Sequence, residues 1–172
     1  MHQSGRNSGV LHSGLYYKPD SYRAKNCVDG RRELVDFAKK HQIKHEVCGK
    51  LVVATNHIES LALPGLLKRG RDNGLKNLEI VNAKKIQEIE PFVRGVSAIW
   101  VPETGIIDYR SVANKLASLI KKINSDSEVL TNSKVLKITS YPNNSIVHTQ
   151  GSVFNCKKII SCAGLFSDRL AK

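Results

Sequence analysis

A glycine-rich loop near the amino terminus is the part of the sequence best suited to chemistry. Residues 2–18, HQSGRNSGVLHSGLYYK, hold three glycines, three serines, two histidines and an asparagine ahead of two tyrosines. Gly5, Gly9 and Gly14 permit positive φ and close backbone approach to a flat or charged group, and the serines and asparagine supply donors and turn-forming side chains. This composition predicts a ligand-contacting loop; the alternative is an ordinary disordered terminal segment.

A second candidate site lies near the carboxyl terminus. The sequence KKIISCAG predicts an apolar strand that runs into an Ala163-Gly164 turn, and Ser167 and Asp168 are placed to cap the helix that follows. A strand, a small-residue turn and a capped helix together present backbone N–H groups and a positive dipole end to a phosphate. The arrangement is common in α/β proteins, so by itself it is a weak signal.

Hydrophobic periodicity predicts the elements that position these segments. Asp108 precedes a clean apolar repeat, so its carboxylate is placed to cap a helix amino terminus. Pro64 and Gly65 interrupt another helical pattern, which predicts a helix that is broken or begins late. The predicted helices lie at 24–41, 64–72, 83–90 and after Asp108, and the predicted strands at 46–55, 78–81, 96–102, 128–141, 145–150 and 153–161.

Composition and charge are those of a globular protein with a basic surface. The chain has 172 residues, 41% hydrophobic and 24% charged, which predicts one or two small domains. Its net charge of +12 would favour nucleic acid, anionic membranes or acidic metabolites. The basic residues are spread in pairs along predicted helix faces without interleaved aromatic residues, so solvated surface is favoured and no nucleic-acid partner is expected.

The cysteines and histidines do not have the spacing of a metal site. Cys27, Cys48, Cys156 and Cys162 form no CxxC pair, and the six histidines do not cluster with them. No metal site and reduced thiols are therefore predicted. The sequence also contains no apolar run near the length of a membrane span.

Three separated motifs resemble the flavoprotein family of L-2-hydroxyglutarate dehydrogenases and oxidases, within the wider D-amino-acid-oxidase-like group. They are HQSGRNSGVLHSGLYYKP at 2–19, TGIIDYR at 104–110 and CAGLFSDRLA at 162–171. The resemblance runs from His2 to the last residue and implies FAD as the cofactor. It implies an α/β fold, in which a partial FAD-binding Rossmann-like domain carries an inserted smaller substrate-side sheet.

The same resemblance implies a domain that is split in sequence. Residues 1–45 and 106–172 would belong to the FAD-binding domain, and residues 46–105 to the substrate domain. The family's amino-terminal GxGxxG unit and its carboxyl-terminal part have no counterpart in this sequence. The chain is therefore expected to be the middle of an enzyme, with a glycine-rich turn encoded upstream, and to hold FAD weakly and be inactive alone.

The resemblance also implies which residues contact the cofactor. Close backbone approach and hydrogen bonds to the ring are what flavin chemistry asks of a protein. Val135 would lie at the adenine end, with an ordinary strand valine as the alternative. The remaining cofactor contacts implied by the resemblance are Asn7, Ser8, Gly9, Val10, Ala163 and Gly164.

Catalytic and substrate residues follow from the same likeness. His12 would face the substrate, where a neutral imidazole accepts the hydroxyl proton as hydride leaves carbon; alternatively it only hydrogen-bonds the loop. A five-carbon hydroxy-diacid needs Arg, Lys or hydroxyl donors for its two carboxylates. The candidates in matching motifs are Tyr16, Tyr17, Lys50 and Arg110, for each of which a surface or packing role is the alternative.

The predicted function is FAD-dependent oxidation of L-2-hydroxyglutarate, a small 2-hydroxy dicarboxylate, to 2-oxoglutarate. Hydride would pass to the flavin, and the electrons then to oxygen or to a membrane quinone chain. The alternatives are another FAD-dependent oxidase, of amino acids or glycerol phosphate, and a non-enzymatic basic binding module. The resemblance implies a mitochondrial location in a eukaryote, and in a bacterium the cytoplasm, either free or at the periphery of the inner membrane.

Overall fold

The computed structural model describes residues 3–170 of the chain. His2, which opens the first motif, and Ala171, which ends the third, lie outside the described residues. Helices and antiparallel strands alternate in a mixed α/β fold, as the sequence predicts. The chain divides into two compact units, one up to Leu119 and one from Ile120. Whether the functional domains are bounded at 45 and 105 stays a prediction.

The first unit contains most of the helices and strands. In chain order its elements are β1 (Val10–Leu11), α1 (Tyr22–Lys40), β2 (His45–Glu46), β3 (Lys50–Ala54), α2 (His57–Asp72), β4 (Glu79–Asn82), α3 (Ala83–Ile89), β5 (Ser97–Val101), β6 (Gly105–Ile107) and α4 (Tyr109–Ile123), which continues into the second unit. The second unit contains β7 (Val135–Ser140), β8 (Ser145–Thr149), β9 (Val153–Cys156) and α5 (Ser167–Leu170).

Two three-stranded antiparallel sheets organise the first unit. One has the order β1-β6-β2 and includes the middle of the glycine loop, with Val10 opposite Ile106. The other has the order β3-β5-β4. The main core lies against the second sheet and includes the fully buried Leu15, Ile99 and Val101. A smaller core around Leu11 fixes β1 beneath α1 and α4.

Helix α1 confirms the predicted helix at 24–41. The side chain of Ser21 caps it by accepting a hydrogen bond from the Ala24 N–H, and the helix ends at Lys40 with His41 as its last cap. Ala24, Val28 and Ala38 are its buried face. On this face Ala24 and Val28 lie beside Gly14 of the glycine loop.

Helix α2 begins at His57, so the prediction of a start near residue 64 is wrong. The side chain of Asn56 accepts the Glu59 N–H at 2.9 Å, and Oε2 of Glu59 accepts the Thr55 N–H at 2.7 Å. This reciprocal capping starts the helix ahead of Pro64. Burial of Leu63 and Leu67 in the main core holds the helix continuous through the proline.

Arg31 and Glu103 connect α1 to the turn between β5 and β6. Their side chains form an ion pair, and Nη1 of Arg31 also donates to the Glu103 carbonyl at 2.7 Å. The second carboxylate oxygen of Glu103 accepts the Lys76 N–H at 2.6 Å. The Arg31 side chain is only 9% exposed, so the pair is largely removed from water.

The second unit is built on an antiparallel meander, β7-β8-β9. The predicted strand at 128–141 begins only at Val135, and the one at 153–161 ends at Cys156. The predicted KKIISCAG strand is wrong, because residues 157–163 form no regular element and Ile160 is 88% exposed. An apolar run becomes a strand only where another strand pairs with it, and β-propensity alone does not predict that pairing.

The turn after residue 163 also differs from the expectation. Gly164 has φ +55° and opens a 3-10 turn at Gly164–Phe166. The hydroxyl of Ser167 donates to the Gly164 carbonyl at 2.8 Å, and Ser167 and Asp168 both lie within α5. Neither side chain therefore caps this four-residue helix from outside.

Candidate functional site

An asparagine turn shapes the first half of the glycine loop. Nδ2 of Asn7 donates to the Gln3 carbonyl at 2.9 Å, and its Oδ1 accepts the Gly9 N–H at 2.8 Å. Gly9 then adopts φ +70°, and its carbonyl accepts the Ile107 N–H at 2.8 Å. The predicted positive φ is confirmed at Gly9 and at Gly14, with φ +92°. Gly5 lies in the 3-10 turn Gln3–Gly5 and does not use this freedom.

Two of the predicted cofactor contacts, Ser8 and Gly9, border an open cavity of about 450 Å³. The floor is the β1-β6-β2 sheet, because residues of β2 and β6 supply much of the lining. The cavity therefore combines an exposed hydroxyl and backbone with a cation from Lys44. Its other lining residues are His45, Glu46, Ile106, Ile107 and Asp108.

His12 follows β1 and turns an exposed side chain toward solvent. Within residues 3–170 its imidazole makes no hydrogen bond, whereas its carbonyl accepts one from Sγ of Cys27 at 3.4 Å. Two residues earlier, the Val10 carbonyl accepts a hydrogen bond from Oη of Tyr109 at 3.1 Å. The backbone on both sides of His12 is thus held from α1 and α4, and the imidazole projects from a fixed position.

Lys50 and Tyr16, two predicted substrate contacts, lie together. The Lys50 ammonium is 4.7 Å from the centroid of the Tyr16 ring, a cation–π distance. Burial lowers the pKa of Lys50, and the neighbouring Cys27 thiol partly opposes that change. Burial also raises the pKa of the Tyr16 hydroxyl, which therefore keeps its proton at neutral pH.

Tyr17 and Arg110, the other two predicted substrate contacts, are engaged elsewhere. The guanidinium of Arg23 lies 5.7 Å from the centroid of the Tyr17 ring, and the Tyr17 carbonyl accepts from Asn73 at 2.9 Å. Arg110 is exposed in the first turn of α4, where its N–H donates to Asp108. Their part in substrate binding stays a prediction.

Asp108 caps α4, as the sequence predicts. Its Oδ1 accepts the Ser111 N–H at 3.1 Å, and its Oδ2 accepts the Ser111 hydroxyl at 2.6 Å. The hydrogen bonds from Ser111 are the main cause of its lowered pKa, and the N–H and charge of Arg110 add to the effect. The carboxylate is therefore charged throughout the neutral range.

The remaining predicted cofactor contacts belong to the second unit. Val135 pairs with Thr149 beside an irregularity in β7, Ala163 is half-buried, and Gly164 has the positive φ already described. Their contact with the cofactor stays a prediction.

Cys27 and Tyr109 are the site residues that sequence reasoning missed. Cys27 lies one residue before the buried Val28 on the face of α1 that meets the loop, and Tyr109 stands inside the TGIIDYR motif. The motif could have drawn attention to Tyr109. Nothing in the sequence marks the bond from Cys27 to the His12 carbonyl.

No group of three or more His, Cys, Asp or Glu side chains is placed to hold a metal ion within residues 3–170. None of the helices in that range is long and apolar enough to cross a membrane.

The comparison with protein families decides the affiliation. The model of DAO, FAD dependent oxidoreductase, matches residues 1–172. The chain belongs to this family. FAD, the cofactor predicted from the sequence, is thereby confirmed as the cofactor of the family.

Relatives of the family agree with the likeness seen in the motifs. L-2-hydroxyglutarate dehydrogenase of Indibacter alkaliphilus is 44% identical over 171 residues, covering 99% of this chain and 42% of that protein. The mitochondrial L-2-hydroxyglutarate dehydrogenase of Homo sapiens is 39% identical, covering 100% and 39%. That of Escherichia coli K12 is 36% identical, covering 99% and 40%. The chain spans about two fifths of the length of these relatives.

Solved structures share the fold. Glycine oxidase from Geobacillus kaustophilus superposes with a TM-score of 0.85 at 18% identity, covering 98% of this chain and 47% of that one. L-α-glycerophosphate oxidase from Mycoplasma pneumoniae, solved with FAD bound, superposes with a TM-score of 0.74 at 24% identity, covering 88% and 41%. At these identities the likeness establishes the fold alone.

The loop fits the family's cofactor in its chemistry. A flavin needs close backbone approach and hydrogen-bond donors along its ring. Gly9 has no side chain and a left-handed backbone at the edge of the cavity, and Ser8 adds a hydroxyl there. Lys44 adds a positive charge to the cavity lining, which also contains the carboxylates of Glu46 and Asp108.

Proposed function

We propose that the protein containing this chain is an FAD-dependent enzyme that oxidises L-2-hydroxyglutarate to 2-oxoglutarate. The observation that carries the proposal is the 44% identity, along nearly the whole chain, with a relative of that name. Human and E. coli relatives of the same name support it. FAD, when bound, supplies the acceptor for the hydride that leaves the hydroxyl-bearing carbon.

The glycine loop would provide the ring contacts. Gly9 allows the backbone to approach the flavin, Ser8 offers a hydroxyl, and Asn7 and Val10 hold the loop on either side of them. The hydrogen bond from the Gly9 N–H to Asn7 and the bond from Ile107 to the Gly9 carbonyl support a preorganised loop. On the basis of the family resemblance we also assign Val135, Ala163 and Gly164 to FAD binding.

His12 would take the proton of the substrate hydroxyl. Its imidazole is exposed and makes no hydrogen bond within residues 3–170, while its backbone is anchored through the carbonyl. A general base needs a free nitrogen and a fixed position, and His12 has both. The proton would move from the hydroxyl to an imidazole nitrogen as the carbon is oxidised.

Lys50 and Tyr16 would bind one carboxylate of the diacid. Lys50 is half-buried, and no ion pair between it and a carboxylate is found within residues 3–170. A desolvated ammonium without a carboxylate partner is prepared to receive one from a ligand. Tyr17 and Arg110 are assigned to the second carboxylate on the basis of the motifs alone.

Location and electron acceptor complete the proposal. The human and bovine relatives are named mitochondrial, and we assign that compartment to a eukaryotic source and the cytoplasm, free or at the inner membrane, to a bacterial one. Oxygen or a membrane quinone would reoxidise the flavin. The two acceptors differ in whether air alone restores the oxidised spectrum within seconds.

Anaerobic flavin reduction tests the function. The complete gene product that contains residues 1–172 is purified, its visible spectrum is recorded, and L-2-hydroxyglutarate is mixed with it without oxygen. We expect a yellow protein that bleaches within seconds with this substrate and remains coloured with D-2-hydroxyglutarate. Release of stoichiometric 2-oxoglutarate identifies the reaction.

Other substrates separate the alternatives. Glycine, L-proline and glycerol 3-phosphate are tested at the same concentrations. Bleaching by one of these and not by L-2-hydroxyglutarate would contradict the proposed substrate and leave another flavin oxidase. A colourless protein that binds no added FAD would contradict the proposed enzymatic function and favour a basic binding module.

A further inference from the structure

Two side chains from different helices hold neighbouring carbonyls on one edge of β1. Oη of Tyr109, at the start of α4, donates to the Val10 carbonyl at 3.1 Å. Sγ of Cys27, in α1, donates to the His12 carbonyl at 3.4 Å. The two acceptors are separated by a single residue, so both bonds act on the segment that links the cavity to His12.

The register of β1 explains why this edge needs side-chain donors. Residue 9 bonds to Ile107 of β6, and in an antiparallel pair the bonding residues alternate. Residues 9 and 11 therefore face β6, and the carbonyls of Val10 and His12 point away from it. Because β1 is the outer strand of its sheet, no further strand within residues 3–170 pairs with those carbonyls.

Packing and protonation both support donation from these groups. A Cβ placed on Gly14 would lie 3.1 Å from Cγ2 of Val28 and 3.6 Å from Cβ of Cys27, so the loop is in direct contact with this turn of α1. Burial raises the pKa of Cys27, although the charges of Arg31 and Lys50 act the other way. Burial raises the pKa of Tyr109 as well. Both groups therefore carry a proton to donate at neutral pH.

We propose that Cys27 and Tyr109 are positioning residues that hold the backbone of residues 9–12 in place for the flavin and for His12. The proposal rests on the proposed function in assigning those residues to the cofactor and the base. Neither side chain would touch the substrate. Their effect would be transmitted through the two carbonyls.

Amide hydrogen exchange of the complete gene product tests the pair. In Tyr109→Phe and Cys27→Ala we expect peptides that cover residues 8–13 to exchange about fivefold faster, as for loss of one hydrogen bond. Cys27→Ser keeps a donor and should return the exchange to near the parent rate. Tyr141→Phe and Cys48→Ala are matched controls, because both residues are exposed and neither hydrogen-bonds to the Val10 or His12 carbonyl.

Strand β5 is the internal reference. Its peptides should exchange at the parent rate in every variant, because the pair holds β1 and not the main core. Unchanged exchange at 8–13 in both variants would overturn the proposal. So would equal acceleration in β5, since that result means general destabilisation.

FAD affinity gives a second measurement that does not use the substrate. We expect the dissociation constant of FAD from the reconstituted gene product to rise about fivefold in Tyr109→Phe and Cys27→Ala and to recover in Cys27→Ser. Unaltered FAD affinity in all three would overturn the role toward the cofactor. Failure of L-2-hydroxyglutarate to bleach the flavin would overturn the proposed function. The amide-exchange rates and the FAD dissociation constants would still test the positioning role.

Discussion

The Lys50 ammonium lies 4.7 Å from the centroid of the Tyr16 ring, so the first residue of β3 meets the turn near the end of the glycine loop. The ring face gives a lysine a partial partner that leaves its hydrogen-bond donors free. A carboxylate in the same position would neutralise it. Lys50 is therefore a desolvated cation whose N–H donors remain free to bind a ligand.

Replacing Lys50 should weaken substrate binding. A hydrogen bond to a charged group contributes about 1.5–3 kcal/mol, so Lys50→Met should raise the apparent dissociation constant for L-2-hydroxyglutarate about 10- to 100-fold. Lys50→Arg keeps the charge and should lose less. The measurement is the concentration dependence of anaerobic flavin reduction. Lys68→Met, at a lysine whose side chain is 76% exposed, is the control, and equal affinities in both methionine variants would exclude Lys50 from the substrate site.

The binding of a diacid should also depend on pH through Lys50. Its pKa is lowered by burial, so the protonated form disappears at a lower pH than for a free lysine. Affinity for glutarate, an unreactive diacid, should be full below that pKa and fall as the pH rises through it. In the unliganded protein the sign is opposite: the buried charge costs stability in full below the folded pKa of Lys50, and this cost declines as the pH rises from the folded pKa to the unfolded one. Titration of the glutarate affinity in Lys50→Met should show no such fall; an identical profile in both proteins would refute the assignment.

Gly49 should tolerate no side chain. It has φ +76°, and a Cβ there would lie 2.1 Å from the Trp100 ring. Gly49→Ala should lose about 3 kcal/mol, from the left-handed backbone and from overpacking. Gly74→Ala has a similar φ but open space, and should lose about 1 kcal/mol. Urea unfolding of this chain, followed by the fluorescence of its single tryptophan, measures both, and equal losses would show that Trp100 moves aside without cost.

The Arg31–Glu103 pair should contribute far more than the surface pairs. Glu103→Gln leaves the largely buried guanidinium without its counter-charge and should cost about 3 kcal/mol. The exposed Lys68–Asp72 pair is the comparison, and Asp72→Asn should cost less than about 1 kcal/mol. The same unfolding measurement applies. Similar losses in the two variants would mean that the Arg31 pair is solvated in solution.

Local signals predicted the helices better than the strands. Ser21 before α1 and Asp108 before α4 stand where capping rules place them, and both helices follow. The Asn56 and Glu59 caps of α2 obey the same rule, and this N-x-x-E pattern determines the helix start more strongly than Pro64 does.

The strands and the site depend on contacts between residues distant in sequence. The apolar run at 157–161 has the composition of a strand but forms none. A strand requires a partner strand, and the residues of the run do not indicate whether one is present. The family resemblance implies both Lys50 and Tyr16 as substrate contacts, but their mutual contact depends on β3 returning beside the loop. Cys27 had no local signal, since its role is defined by the carbonyl of a residue fifteen positions earlier.

His12 gives the last prediction, which concerns the reductive step. The structure fixes its backbone through Cys27 and leaves its imidazole exposed, as a proton acceptor requires. His12→Ala in the complete gene product should therefore slow flavin bleaching by L-2-hydroxyglutarate about 10²-fold or more, as for loss of a positioned general base. FAD content should stay near the parent value, because the imidazole itself does not hold the loop. His148→Ala, in the second unit on β8, is the matched histidine control. Rapid mixing decides the matter: an unchanged bleaching rate rules out the base, and lost FAD with an unchanged rate in the remaining holoenzyme means that His12 supports the loop.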